Sequence, residues 1–420
     1  MAGRRWVVTV VNVRARVAAV CGERFVRDGV PADALATVAP RWVAAPASTG
    51  QVSDLVAVAA DADLAVAARG AGTKLDWGAA PSRLDLLVDM RRLAGIHTPA
   101  AAEPVGPVAV VGAGTPLRAA QAVLAITGQR IALDPASAAA TVGGVLSTDE
   151  AGPLRLSLGR ARDALAGLEF VRADGVAVRS AGRMVNDTFG SDVAGLLCGS
   201  LGTIGLVTAA TLRLQPVPPA RRWLLCPVGT PLEARDLTAS ILGTELAPAA
   251  IEVDLPKSGE GTLGVLFEGP VATVAAEVRA ATGLFGPVTT AGEAPPWWGR
   301  YPFGGADAVA LKLAAPVAGL HALLYALRDG AGLPVAVRAS PGVGEAWAAL
   351  PADLPVERVV AAVDAVRAAL SGRPGSCSVL TAPPAVRASV DLWGDDRPGP
   401  AASGAVKQWL DPRGILSPGR

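Results

Sequence analysis

Histidine is nearly absent. The 420-residue chain has two, His97 and His321. No His-x-His or His-x-x-x-His pair exists, so the usual spacing of metal ligands is missing. A lone histidine without a named partner is not a catalytic site. His97 follows Gly95-Ile96 and reads as a solvent-facing loop residue. His321 falls in the helix-like Leu320–Leu327 stretch and reads as a packed or surface residue. Cysteine is sparse too. Cys21, Cys198, Cys226 and Cys377 are far apart, with no C-x-x-C. That excludes a disulfide framework and predicts buried free thiols in a reducing cytoplasm. Charge of one sign is lacking, with 38 basic against 37 acidic residues. Aromatics are only 4%, and no basic stripe interleaves with them, which argues against nucleic acid. No uncharged apolar run reaches the roughly 18 residues of a membrane span. The N-terminal stretch from Arg4 to Arg14 has a basic start, but its apolar part is short, is broken by Asn12, Arg14 and Arg16 and lacks a clean Ala-x-Ala site, which argues against a signal peptide.

Glycine, by contrast, is abundant and gathered in short segments between apolar runs. The stretch Val66-Ala67-Ala68-Arg69-Gly70-Ala71-Gly72-Thr73-Lys74 is the most informative. Leu64 to Ala68 predicts a short buried strand that enters a glycine turn with no helical pattern behind it. Glycine adopts positive φ and lets backbone approach a ligand. Successive N–H groups in such a turn form a concavity suited to phosphate. Arg69 adds charge there and Thr73 a hydroxyl donor. The same Gly-Ala-Gly-Thr recurs at Gly112–Thr115, followed by Pro116 and helical spacing at Leu117, Ala120, Val123 and Leu124. Pro116 at the first helical position, with Thr115 as N-cap, predicts an ordinary helix start. This second copy reads as structural.

Two more small-residue segments follow, Leu133–Ser147 and Cys198–Thr208, with Ser157–Asp163 between them. Together with the first loop they suggest backbone packed along an extended ligand. In order and spacing, these segments resemble the flavin domain of the vanillyl-alcohol-oxidase/PCMH-type FAD-linked oxidases, nearest the FAD-binding E subunit of glycolate oxidase. The likeness runs from about Ala45 to Pro218 and returns in Asp411-Pro412-Arg413-Gly414-Ile415-Leu416-Ser417-Pro418-Gly419. It implies that Arg69, Gly70, Ala71, Gly72, Thr73 and Lys74 cradle the pyrophosphate of FAD. It places Pro135, Ser137, Thr141, Val142, Gly143 and Gly144 along the flavin and ribityl chain, and Gly205, Leu206 and Val207 at the adenine end. The first loop has no histidine, so the FAD is expected to be non-covalent. One segment departs from the pattern: at Val185–Val193, the Lys and Tyr typical of relatives are missing, while Asn186 and Asp192 can be aligned.

The predicted organisation is α+β. An N-terminal extension covers 1–36, and a PCMH-type FAD domain of two α+β subdomains covers 37–219. Pro216-Val217-Pro218-Pro219 breaks the chain. Repeated strand–helix–strand units over 220–400 predict an antiparallel sheet with helices on one face, resembling the ferredoxin-like cap of the family. Residues 401–420 return to the FAD domain. In the cap, Arg300, Lys312 and Arg338 are candidate anion ligands, and Tyr301 and Tyr325 candidate polarising groups. Trp297-Trp298 reads equally as a subunit contact or a buried pair. The metal-binding histidines of hydroxyacid-oxidising relatives are absent, so catalytic residues stay unassigned. The resemblance implies flavin-linked oxidation of a small 2-hydroxyacid, with flavoprotein and iron–sulfur partner subunits. A stand-alone alcohol oxidase and a non-catalytic FAD-binding subunit are the alternatives.

Overall fold

The computed structural model describes residues 13–97, 106–181, 190–304, 308–394 and 400–420. The chain divides into two compact units. The first comprises Met1–Ala151, Arg160–Val217 and Gly399–Arg420, and the second Gly152–Gly159 and Pro218–Pro398.

The first unit contains two sheets. Strands β1 (Val26–Asp28), β2 (Trp42–Ala44), β3 (Val66–Arg69) and β4 (Leu86–Asp89) are ordered β1-β2-β4-β3. The β2–β4 and β3–β4 pairs are parallel. Parallel strands are covered on both faces and read as continuous apolar runs, and β4 is buried at every position. Helix α1 (residues 13–21) contributes Val13, Val17 and Cys21 to the core of this sheet. Helix α2 (Thr49–Asp61) links β2 to β3. It starts where the Ser48 hydroxyl accepts the Gln51 N–H at 3.2 Å. It buries Val52, Leu55, Val56 and Ala59, the i, i+3, i+4, i+7 stripe of an amphipathic helix.

The second sheet runs β5 (Ile96–His97), β6 (Val108–Gly112), β10 (Leu206–Pro216), β8 (Leu165–Val171), β9 (Ala177–Ala181), with β7 (Gln129–Ile131) also on β10. These pairings are antiparallel. His97 is exposed, but in strand β5 rather than a loop. Helix α3 (Leu117–Ala125) starts one residue later than the sequence suggests. Pro116 holds the capping position and no side chain caps the helix. The Thr115 hydroxyl instead bonds the backbone of Gly95, accepting its N–H at 3.0 Å and donating to its carbonyl at 3.2 Å. It ties two strands together and caps nothing. Residues 142–148, expected as part of an irregular segment, form helix α4 (Val142–Thr148).

The chain then passes through α5 (Arg155–Leu158) of the second unit and re-enters the first unit at Arg160, ahead of β8, β9 and α6 (Gly190–Leu197). The C-terminal segment joins the first unit beside β3. The Val66 N–H donates to the Ile415 carbonyl and the Ser417 N–H to the Val66 carbonyl, both at 2.8 Å. Buried Asp411 fixes this return by accepting the N–H groups of Ile415 and Leu416 at 3.0 and 2.8 Å.

The second unit is built on an eight-stranded antiparallel sheet. Its strands are β11 (Ala220–Val228), β12 (Ala250–Leu255), β13 (Gly261–Gly269), β14 (Thr289–Ala291), β15 (Val309–Ala314), β16 (Ala336–Ser340), β17 (Glu345–Leu350) and β18 (Ser376–Thr381). Their order is β14-β11-β13-β12-β16-β17-β15-β18. Helices α7 (Pro231–Leu242), α8 (Val271–Thr282), α9 (Leu320–Ala331) and α10 (Val356–Leu370) pack on it and on one another. In α9, Leu320, Leu323, Leu324 and Leu327 are buried, each contributing about 1.5–3 kcal/mol by leaving water. The sheet's register sets its two faces apart. Leu311, Leu313, Ala346, Ala348 and Val337 share one face, and Lys312, Trp347, Arg338, Asp254 and Glu345 the other.

Candidate functional site

The first unit holds a cleft of about 730 Å³, mouth included. Its lining draws mainly on the loop after β3, both ends of α4, the turn leading into β10 and the C-terminal Arg420, with Leu35, Met90 and Ala113 added from other parts of the unit. Arg69, Gly70, Ala71, Gly72, Thr73 and Lys74 all line it, with Thr141, Gly143, Gly144, Gly205, Leu206 and Val207. Pro135, Ser137 and Val142 are not among the lining residues. Val142 is fully buried in α4.

The glycines show why the wall has this composition. A Cβ on Gly70 would stand 2.0 Å from the Thr141 hydroxyl, and one on Gly143 would stand 2.8 Å from the Ala113 Cβ. Separate segments are therefore tightly packed there, the Gly70 backbone on the Thr141 side chain and the Gly143 backbone on Ala113, and only hydrogen fits between them. Gly72 differs. Its φ is +81° and its nearest neighbour would be 3.5 Å away. It is required for the turn's shape, since positive φ is costly for other residues. The duplicate tetrapeptide packs against protein. A Cβ on Gly114 would meet the Met90 carbonyl at 2.0 Å, although its neighbour Ala113 does reach the cleft.

The two cations of the loop are already engaged. The Arg69 guanidinium donates to Asp33 at 2.6 Å and to Asp89 at 2.7 Å, all three side chains being buried. Arg27 adds two bonds to Asp33, and the Arg91 guanidinium grips both oxygens of Asp89, its Nε at 2.9 and 3.2 Å and a terminal nitrogen at 2.6 Å. The Arg27 hydrogen bonds, helped by Arg69, hold the Asp33 carboxyl well below the usual carboxylate range. Burial alone would raise Asp89, but its bonds to Arg91 and Arg69 outweigh that and lower it. Lys74 pairs with Glu150, whose side chain is fully buried. The side chain of Arg69 therefore braces the loop from behind and adds no free charge to the cleft.

Thr141 caps α4 by accepting the Gly144 N–H at 3.3 Å. Sequence reasoning flagged these residues but missed the helix. It also missed Ser147, Thr148, Leu201 and Arg420 on the lining. Leu201 has φ +54°, a conformation that its residue type does not announce. The Val185–Val193 departure falls mostly on 182–189, outside the described residues.

In the second unit, two of the candidate anion ligands, Lys312 and Arg338, are also paired, while Arg300 is exposed. Lys312 lies 3.1 Å from Glu345, which Arg155 also contacts. Burial alone would raise Glu345, but these two cations hold its carboxyl below the usual range. Arg338 donates to Asp254 at 2.9 Å and to the Tyr301 carbonyl at 2.7 Å. Trp298 packs edge-on against Trp223, ring centres 6.2 Å apart, and Trp297 against Trp298 at 5.6 Å. That favours the packed-pair alternative. His321 lies on α9 beside α7. Burial and the nearby Arg235 lower its pKa, while Asp236 opposes them. Tyr325 stacks edge-on against His321, so neither ring belongs to the Lys312–Trp347 group. Among the described residues, no cluster of three His, Cys, Asp or Glu side chains is arranged to hold a metal ion. The four thiols are free. Burial pushes Cys21 and Cys377 up to about 11 and Cys198 up to about 12, which leaves them unreactive at neutral pH.

Residues 40–181 match the FAD binding domain family, and that range contains the glycine loop and α4. An uncharacterized FAD-linked oxidoreductase of Mycobacterium tuberculosis is 31% identical over 213 residues, 51% of this chain and 46% of that protein. Glycolate oxidase subunit GlcD of Bacillus subtilis is 28% identical over 254 residues, 56% of this chain and 53% of that protein. The glycolate oxidase chain found is thus a D subunit, whereas the motifs by themselves point toward the E subunit. The chain spans about half the length of these curated relatives. Among solved structures, p-cresol methylhydroxylase with substrate bound superposes with a TM-score of 0.71 at 15% identity, covering 98% of this chain and 96% of that one. The chain therefore carries an FAD binding domain and has the fold of the vanillyl-alcohol-oxidase/PCMH flavoprotein superfamily.

Proposed function

We propose that this protein is an FAD-dependent oxidoreductase of the glycolate oxidase and D-lactate dehydrogenase kind, acting on a small 2-hydroxyacid with flavoprotein and iron–sulfur partner subunits. One observation carries the reading. The segments matched to the FAD binding domain, the glycine loop and α4, converge on a single cleft in which Gly70 and Gly143 leave no room for a Cβ. When bound, FAD supplies a two-electron acceptor for oxidation of a CH–OH carbon to a carbonyl. The chain's own contribution is to bind and orient it. The Gly70–Thr73 loop offers backbone N–H groups to a diphosphate, and the buried Arg69 pairs hold that loop in shape. Pro135, Ser137 and Val142 then act from behind the lining rather than by direct contact.

In the second unit, Lys312 and Arg155 share the one carboxylate of Glu345, and this surplus of positive charge on the polar face supports a role in handling an anionic substrate. No proton acceptor is assigned, because Lys312 and Arg338 are tied to carboxylates and His321 stands with the helices. A partner subunit supplying part of the chemistry fits that pattern. The test is the visible spectrum of the purified chain, before and after glycolate or D-lactate. Bound flavin that stays oxidised until a partner is added supports the reading. Rapid bleaching of the isolated chain favours a stand-alone enzyme, and a colourless protein overturns FAD binding altogether.

A further inference from the structure

The Lys74–Glu150 pair sits at the end of the glycine loop, where the cofactor would bind. Lys74 ends the glycine loop and lines the cleft, yet its side chain is 5% exposed and that of Glu150 is 0% exposed. Glu150 lies just beyond α4, with its N–H bonded to the Val145 carbonyl at 3.1 Å. Its second carboxylate oxygen accepts the Ser137 N–H at 2.9 Å. One carboxylate thus joins three pieces of the binding unit: the loop after β3, the Leu133–Ala140 connection, and the end of α4. Lys74 is steadied from its other side by a bond to the Thr73 hydroxyl at 3.2 Å and by the Trp77 ring, 5.8 Å from its nitrogen. A buried ammonium with a buried carboxylate against it has little charge left to offer a ligand. Arg69 is in the same position between Asp33 and Asp89.

We propose that Glu150 is a positioning residue that withholds the charge of Lys74 from the cofactor. The diphosphate of FAD is then held by the uncharged backbone of the Gly70–Thr73 loop, and Glu150 sets the spacing of that loop from α4. The proposal rests on the FAD reading above and adds the division between charge and backbone. Exposed or mobile cations at a phosphate site make binding weaken steeply with salt, because ions screen them. A cation locked to its own counter-ion does not.

The test uses the full-length protein stripped of flavin and titrated with FAD from low to high NaCl. The wild type should bind with an affinity that changes less than about threefold between 0.05 and 0.5 M salt, the range over which exposed charges are screened. Glu150→Gln keeps an acceptor for the Ser137 N–H but frees Lys74 to seek the diphosphate. Its affinity should fall about tenfold or more over that range, in the manner of an unshielded ion contact. The double variant Lys74→Met with Glu150→Gln removes both charges and should return to the shallow wild-type response. It also serves where the single variant folds poorly. A wild-type affinity that falls steeply with salt and flattens in Lys74→Met would show that Lys74 leaves Glu150 for the phosphate, overturning the proposal. So would a Glu150→Gln protein whose melting temperature drops while its salt response stays flat. A wild type that takes up no FAD at any salt refutes the FAD reading itself, a failure distinct from either of these.

Discussion

At the scale of single residues, two identical tetrapeptides do different work. Gly70-Ala71-Gly72-Thr73 lines the cleft, while Gly112–Thr115 mainly packs one strand end onto the Met90–Leu93 turn. Valine at Gly72 meets no protein atom closer than 3.5 Å but must adopt φ near +81°, a strain of about 1–2 kcal/mol. Its side chain also stands where the loop must approach a ligand. Valine at Gly114 would collide with the Met90 carbonyl and the Arg91 Cα, both backbone atoms that cannot rotate away, and overpacking of this kind costs about 1–3 kcal/mol or more. Gly72→Val should therefore lose flavin with a small drop in melting temperature, and Gly114→Val should melt markedly lower while keeping flavin. Flavin content at 450 nm, measured beside a thermal melt, separates the two. Equal flavin loss at unchanged stability would remove the distinction. The sequence could not rank these glycines, since the deciding contacts, Thr141 for Gly70 and Met90 for Gly114, come from elsewhere in the chain.

At the scale of elements, the ion pairs behind β3 and β4 set the pH dependence. Asp33 and Asp89 have pKa values lowered in the fold. A lowered carboxylate stabilises above its unfolded pKa, about 3.9 for Asp, and that contribution is lost as pH falls through the folded value. The first unit should thus hold its stability from neutral pH to about pH 4 and lose it in stronger acid. Asp33→Asn removes one partner of Arg27 and Arg69 and leaves buried charge, a loss of about 3–5 kcal/mol. Its stability at pH 7 should fall, and its further loss between pH 5 and 2 should be smaller than that of the wild type. Melting curves across that range check both slopes. Legibility from sequence follows the same physics. Helix α9 has clear apolar spacing and is readable in the sequence as the helix-like Leu320–Leu327 stretch. Helix α4 is not, because Val-Gly-Gly-Val-Leu-Ser-Thr has poor helix propensity and is stabilised by burial and the Thr141 cap. Strand β17 was hidden by Glu345, which is buried only because Arg155 and Lys312 neutralise it. Charge pairing over long sequence separations leaves no periodic trace.

At the scale of the whole molecule, the question is what the chain does alone. The loop that would carry a covalent flavin link has no histidine, and its two cations, Arg69 and Lys74, are each paired with carboxylates. Acid precipitation of the flavin-loaded protein should leave FAD in the supernatant, and flavin retained in the pellet would contradict non-covalent binding. Oxidation of a 2-hydroxyacid requires more than an electron acceptor. The hydroxyl proton must go to a base and the carboxylate must meet a cation. His321, the only histidine of the second unit, sits on α9 next to Arg235 and Asp236 of α7, and its ring faces Tyr325. Helix α9 contacts β17, but the Lys312–Glu345 pair is completed by Arg155 of α5 and not by His321. His321→Ala should therefore leave both flavin content and any turnover within about twofold of wild type, the behaviour of a residue away from the chemistry. Lys312→Met should behave differently. It removes one of the two cations around buried Glu345 and leaves Arg155 as its partner, so the fold should survive while use of an anionic substrate weakens, seen as a raised KM. Steady-state reduction of an artificial acceptor with glycolate and D-lactate, with and without added partner subunits, resolves the roles. Turnover by the isolated chain that vanishes in His321→Ala would make His321 the base and displace the partner-dependent reading. Turnover that appears only on adding partner and survives in His321→Ala would locate the missing proton acceptor outside this chain.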